Sequence, residues 1–206
     1  MVDIIARDTA KRSDPIPAGV YAAVCTRVID TGDQTRTWEG IERTRREVVI
    51  SWEIPEITVD KDGAPMPAMI SSKPYTLSLH ERAALRHDLE SWRGKLFTDA
   101  ELAGFGLSKI LGDGCMLQVI HNERGYADVS SIMALPKGTP APKPATEMLF
   151  FTLDDPDCMT TFAKLPGFQQ EKIKQSKQYK EKYSVVSAPA DGYIQELFDD
   201  GGELPF

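Results

Sequence analysis

The residues with chemistry to offer are cations and flat rings that follow one another along a single stretch. Arg36, Trp38, Arg43, Arg45, Arg46 and Trp52 come in close succession, with Arg27 ahead of them. Further on, Lys73 stands near Tyr75, and Arg124 near Tyr126. Guanidinium and ammonium groups neutralise phosphates, and aromatic faces stack on any base, so this mixture suits the holding of unpaired nucleic acid without reading its sequence. Core packing competes for each ring. Trp38 lies in a polar stretch without apolar periodicity and is expected to be exposed for stacking. Trp52 is in phase with Val48, Ile50 and Ile54, and Tyr75 with Leu77 and Leu79, so packing competes with binding at both. Tyr126 is out of phase with Ala127 and Val129 and should face away from Ala127. Arg45 and Arg46 are adjacent, so on a strand they point to opposite faces and at most one belongs to a regular groove. Lys172, Lys174, Lys177, Lys180 and Lys182 alternate with Glu171 and Glu181, which reads as a solvated helix face that could also touch DNA.

Catalytic patterns find little support. His80 and His87 share a helix face only loosely, and there is no His-Glu-x-x-His, no Gly-x-x-x-x-Gly-Lys and no Gly-x-Ser-x-Gly. Asp60-Lys61-Asp62-Gly63 opens like a calcium loop but lacks the later ligands, including the glutamate at the twelfth position. It reads as a hairpin turn. The expectation is a protein that binds without catalysing, with no metal and no cofactor.

The elements that would position these groups can be read from periodicity. Residues 1–18 form a polar N-terminal arm. Val20 to Ile29 alternates, with Val20, Ala22, Val24, Thr26 and Val28 on one face and Tyr21, Ala23, Cys25, Arg27 and Ile29 on the other. Thr31 to Glu42 reads as a polar loop, Thr44 to Val59 as a second strand, and Ala64 to Leu79 as a third, interrupted by Pro65, Pro67 and Pro74. Ser78 to Glu81 has the form of a capping box opening a helix with Leu85, Leu89, Trp92 and Leu96 on its core side, and Thr98 to Glu101 has the same form for a short helix after it. Cys115 to His121 and Tyr126 to Leu135 read as a hairpin about Asn122-Glu123-Arg124-Gly125.

Three meandering strands, a helical segment and two more strands is the order of the oligonucleotide/oligosaccharide-binding (OB) barrel. The expected fold is mainly β: a five-stranded OB-type barrel over 19–136 with a helix between strands three and four. After it come a Pro-rich linker over 137–147, a helical extension over 148–184, and an acidic flexible tail over 185–206.

Charge and cysteine use bound the function. The chain has 206 residues, no apolar run long enough to span a bilayer and no hydrophobic signal core in Met1 to Ser13, so a soluble, cytoplasmic protein is expected. Cys25, Cys115 and Cys158 are scattered and read as buried thiols. The net charge of −7 is uneven: residues 190–206 hold five acids and no Lys or Arg, leaving −2 for everything before them. A local basic surface built from Arg27, Arg36, Arg43, Arg45 and Arg46 is compatible with that remainder.

The last eight residues, Asp199-Asp200-Gly201-Gly202-Glu203-Leu204-Pro205-Phe206, mix acid and glycine and end on an apolar pair. They resemble the acidic C-terminal tip of bacterial single-stranded DNA-binding proteins. The resemblance implies that Phe206, Pro205 and Leu204 anchor in a partner's apolar pocket, where a basic residue takes the α-carboxylate, while Asp199, Asp200 and Glu203 meet a basic rim. It further implies a phage- or prophage-type protein that coats single-stranded DNA during replication or recombination, with a homo-oligomer among its expected partners, and that recruits host or phage DNA-processing proteins through that tip. Two other functions fit the same residues: a regulator that uses the tip to occupy a host DNA-processing enzyme without binding DNA, and a strand-annealing recombinase. A frayed acidic end that merely aids solubility is the plainest alternative for the tip.

Overall fold

The computed structural model describes residues 15–61 and 63–183, apart from the side chains of Trp38 and Lys61. The expectations placed on residues 1–14 and 184–206, the acidic tip included, lie outside the described residues.

Period-two runs build a mainly β molecule. Its seven strands are β1 (Gly19–Trp38), β2 (Ile41–Lys61), β3 (Ala64–Ser71), β4 (Tyr75–Thr76), β5 (Gly114–His121), β6 (Ala127–Met133) and β7 (Leu149–Phe151). They share one unclosed sheet of order β3-β2-β1-β5-β6, with β4 on β2 and β7 on β1. Every pairing is antiparallel except that of β7 with β1. The end strands β3 and β6 lie near each other. Lys73 reaches Asp128 at 3.2 Å across that seam, but no backbone ladder joins the two strands.

The expected polar loop over Thr31 to Glu42 is instead the outer half of a long hairpin. Glu39 and Gly40 take φ of 50° and 77°, the two-residue left-handed turn whose twist matches paired strands, so the ladder continues to Trp38 opposite Ile41. Side-chain polarity misled the reading, because from Thr35 outward the arm faces water on both sides and has no apolar alternation to show.

The expected faces of β1 are also corrected. The register against β2 shifts between Cys25 and Arg27, making Thr26 the extra residue of a bulge. Cys25 and Val28 consequently enter the same core, and Ile29 faces a different one.

The first core lies between the sheet and α1 (Ala84–Arg93), where Leu85, Leu89 and Trp92 are buried as their spacing predicts. Trp92 tilts against Trp52 with ring centroids 5.8 Å apart, and its Nε1 donates to the Gly114 carbonyl at 2.9 Å. The predicted capping box at Ser78 does not form: α1 starts later, with Ala83 at the N-cap and no side-chain bond. Ser78 Oγ accepts from the His80 amide, and His80 Nδ1 from the Arg82 amide, so local turns take up the donors. Leu96, expected on the core side, is 73% exposed because Gly94 has already ended the helix in a left-handed conformation. The second box does form, with Thr98 and Glu101 exchanging bonds at the start of α2 (Asp99–Ala103).

Beyond β6 the chain turns back across the outer face of the sheet. The predicted Pro-rich linker has no regular structure, yet its end is fastened: the Ala145 and Thr146 amides and the Thr146 hydroxyl donate to the fully buried Glu53 carboxylate at 2.8, 3.0 and 2.8 Å. The predicted C-terminal helices are shorter, α3 (Cys158–Phe162), α4 (Gly167–Lys174) and α5 (Lys177–Tyr183). Ser176 divides the last two, since its Oγ donates to the Ile173 carbonyl and accepts from the Tyr179 amide. These helices and β7 enclose a second core of Ile29, Leu149, Phe151, Leu153, Phe162, Leu165 and Ile173. All three cysteines are buried thiols; burial pushes Cys25 up to about 12.

Candidate nucleic-acid interface

The outer half of the β1–β2 hairpin forms an arm, and cross-strand register decides which side chains share its faces. Gln34 pairs with Arg45, Arg36 with Arg43, and Trp38 with Ile41, so these positions, together with Glu47, fall on one face. Residues directly opposite have Cβ atoms about 4.5–5.5 Å apart, and like charges placed so repel. Arg36 and Arg43 are such a pair. On that face a cavity of about 580 Å³ is lined by Arg36, Arg43 and Arg45, by the acids Glu39 and Glu47, and by Gln34, Ile41, Pro74 and Thr76. Arg36 is anchored on Glu47 at 2.9 Å, whereas Arg43 and Arg45 are exposed and meet no carboxylate among the described residues. The groove thus holds three guanidiniums against two carboxylates, the exposed Glu39 and the buried Glu47, and Lys172 also reaches Glu47 at 2.8 Å.

The opposite face is spent on structure. Arg46 donates to Asp30 and to Asp154, and its position on the turn-ward side of Val48 ties the root of the arm to the segment after β7. Thr152 Oγ1 adds a bond to Asp30 at 3.1 Å. The C-terminal helices grip the same root from the groove side. Gln34 Nε2 donates to the Lys172 carbonyl at 3.0 Å, and the Asp33 amide donates to Gln178 Oε1 at 2.7 Å. Gly32 permits that approach: its φ is 76°, and a Cβ there would lie 2.6 Å from the Ser176 Cβ.

The predicted binding residues are therefore only partly gathered. Arg36, Arg43 and Arg45 line the groove. Trp38 occupies the register position at its tip, and its side chain lies outside the described residues. Trp52 cannot stack on a base, because it is 0% exposed in the first core; of its two expected uses, packing takes it. Tyr75 is half-buried and donates to Asp88 at 2.6 Å, and burial raises its hydroxyl pKa, so its ring too serves the core side. Arg46 is withdrawn from binding by its two carboxylates. Lys73 is exposed but leans on Asp128 across the seam. Arg124 and Tyr126 are exposed at the β5–β6 turn and take no part in lining the groove. Arg27 lies apart from the groove, half-buried, farther down β1. Sequence reasoning missed Gln34, Glu47 and Thr76. Glu47 was legible, being in phase with Arg43 and Arg45; Gln34 and Thr76 needed the hairpin and the β4 pairing.

No family model matches the chain, and no curated protein matches it.

Proposed function

We propose that this chain is a phage- or prophage-type single-stranded DNA-binding protein built on an OB-type barrel, holding unpaired strands along the β1–β2 arm and recruiting DNA-processing proteins through the tip Asp199 to Phe206. The strand order β3-β2-β1-β5-β6, with α1 between β3 and β5, supports the barrel, which in this family of folds is commonly left partly open. One observation carries the binding function: Arg36, Arg43 and Arg45 crowd one face of an exposed arm, where of the two acids lining the groove, Glu39 and Glu47, only Glu47 pairs with one of them. Repulsion of that kind is relieved by a polyanion, and the arm holds its cations in place before the polyanion arrives. Trp38 at the tip would supply the ring on which a base stacks. No catalysis is needed, since binding only the unpaired form pulls the melting equilibrium toward it by mass action.

Fluorescence anisotropy with labelled oligo-dT tests the reading. The triple variant Arg36→Ala, Arg43→Ala, Arg45→Ala should lose on the order of 100-fold in affinity, and its log K against log salt slope should flatten by about 2, at roughly 0.7 per phosphate contact on single strands. Equal binding by the triple variant overturns the assignment of the groove. If the intact chain binds no oligonucleotide but does bind a DNA-processing enzyme, the tip-mimicking regulator takes its place.

A further inference from the structure

Among the described residues, half-buried guanidiniums have carboxylate partners, with one exception. Arg46 meets Asp30, Arg86 meets Glu90 and Arg93 meets Glu101. Arg27 takes part in no ion pair among the described residues, and its Nε is buried without an acceptor. Burial lowers its pKa, and no neighbouring carboxylate offsets that shift. An unpaired cation held partly out of water is costly, and buried charges are ordinarily paired. Glu53 lies one register step along the same face, and its oxygens accept from Ala145 and Thr146. That acid is thus engaged by a backbone strap rather than by the arginine.

Register shows where that arginine belongs. Arg27 pairs with Ser51, and Ser51 with Ser71, so the three form a row across β1, β2 and β3 on the outer face. The two hydroxyls are 2.8 Å apart, and Ser71 is exposed. Both register shifts of the pair insert their extra residue in β1, so β2 runs regularly from Arg45 to Ser51 and the two share a face. Six residues of strand place the Arg27 row roughly 20 Å from the Arg45 row. That span falls within the reach of a strand occupying the roughly 4–16 nucleotides typical of one OB-type fold.

Resting on the function proposed above, we infer that Arg27 is a second, separate anion site that takes a backbone phosphodiester of a nucleic-acid strand already seated in the arm groove, with the Ser71 hydroxyl beside it as a donor. The planar fork of a guanidinium suits two oxygens of one phosphate, and the charge of the phosphate supplies what the protein withholds.

The experiment compares the intact chain with Arg27→Gln and Arg27→Lys on two labelled oligo-dT probes, one of about 3 nucleotides and one of about 15. On the long probe Arg27→Gln should bind roughly 3- to 10-fold more weakly with a salt slope flatter by about 0.7. Arg27→Lys should restore most of the slope. The short probe, confined to the groove, should bind all three forms alike. In thermal melts Arg27→Gln should be at least as stable as the parent, since it removes an unpaired charge, an outcome that a structural role for Arg27 does not give. Failure of the intact chain to bind either probe removes the DNA-binding reading and this site together. Binding by the intact chain, with Arg27→Gln unchanged on the long probe or weakened equally on both, overturns the second site alone.

Discussion

Arg45 and Arg46 are neighbours on one strand and live in opposite electrostatic worlds. Arg46, at the root of the arm, has Asp30 and Asp154 in reach, while Arg45, one residue toward the tip and on the other face, has no carboxylate partner among the described residues. The root resembles a domain interior in which charge is matched, with Lys172 on Glu47 and with the Gln34 side chain and the Asp33 amide of the strand donating to acceptors on the C-terminal helices. Toward the tip Arg43 and Arg45 stand exposed and without a carboxylate partner among the described residues. Carboxylate-paired and carboxylate-free arginines are thus separated by a single residue and the change of face it brings, and substitutions at the two should fail in different ways.

The sharpest break in that comparison is Arg46→Ala against Arg45→Ala. Removing Arg46 strands Asp30, a side chain only 10% exposed, and should cost about 3 kcal/mol in urea unfolding. Arg45→Ala should leave stability within about 0.5 kcal/mol and instead flatten the salt dependence of oligo-dT binding by about 0.7. If both variants lose stability equally, the tip is not free of structural duty.

A smaller effect is expected where the C-terminal helices meet the root. Gly32→Ala places a methyl group against Ser176 at a left-handed backbone position, and should lower the urea midpoint by an amount equivalent to about 2 kcal/mol. Limited proteolysis should then cut the segment around α4 and α5 before the sheet. Protection equal to that of the parent would show that the close approach at Gly32 is not what holds the helices.

The smallest effect is on pH dependence. The hydrogen bond from Arg46 holds the Asp154 carboxyl below its ordinary value of 3.8. A depressed folded pKa contributes stability that is present above the ordinary value and lost as pH falls through the lower, folded one. Asp154 is 66% exposed, so the contribution should stay under about 1 kcal/mol. Urea melts from neutral pH down into the acid range should show a slightly shallower acid loss for Asp154→Asn than for the parent, and identical slopes would remove Asp154 from the account of the root.

Much of the first core was legible in the sequence. Leu85, Leu89 and Trp92 announce a helix by their spacing, Thr98 and Glu101 a capping box, and Asn122 to Gly125 a turn between alternating runs. The arm was not legible, because a hairpin wet on both sides carries no hydrophobic period and its polar residues read as loop. The bulge at Thr26 was equally silent: one extra residue reverses the facing of everything after it, and nothing in the local composition marks the place. Ser78 to Glu81 shows the converse error, a pattern with the right residues that lost its donors to a tighter turn at His80. At the candidate site, the arginines were found by residue type, but their division into a groove set and a bracing set followed from register.

The sequence by itself determined that this chain is rich in strands, that its cations gather in the first strand pair, and that its acids gather at its far end, because composition and period are local properties. Only the tertiary structure decided which arginine is answered by a carboxylate and which has no carboxylate partner among the described residues. Pairing depends on what other segments, remote in the chain, bring to the same face, and Asp154 comes to Arg46 from more than a hundred residues away.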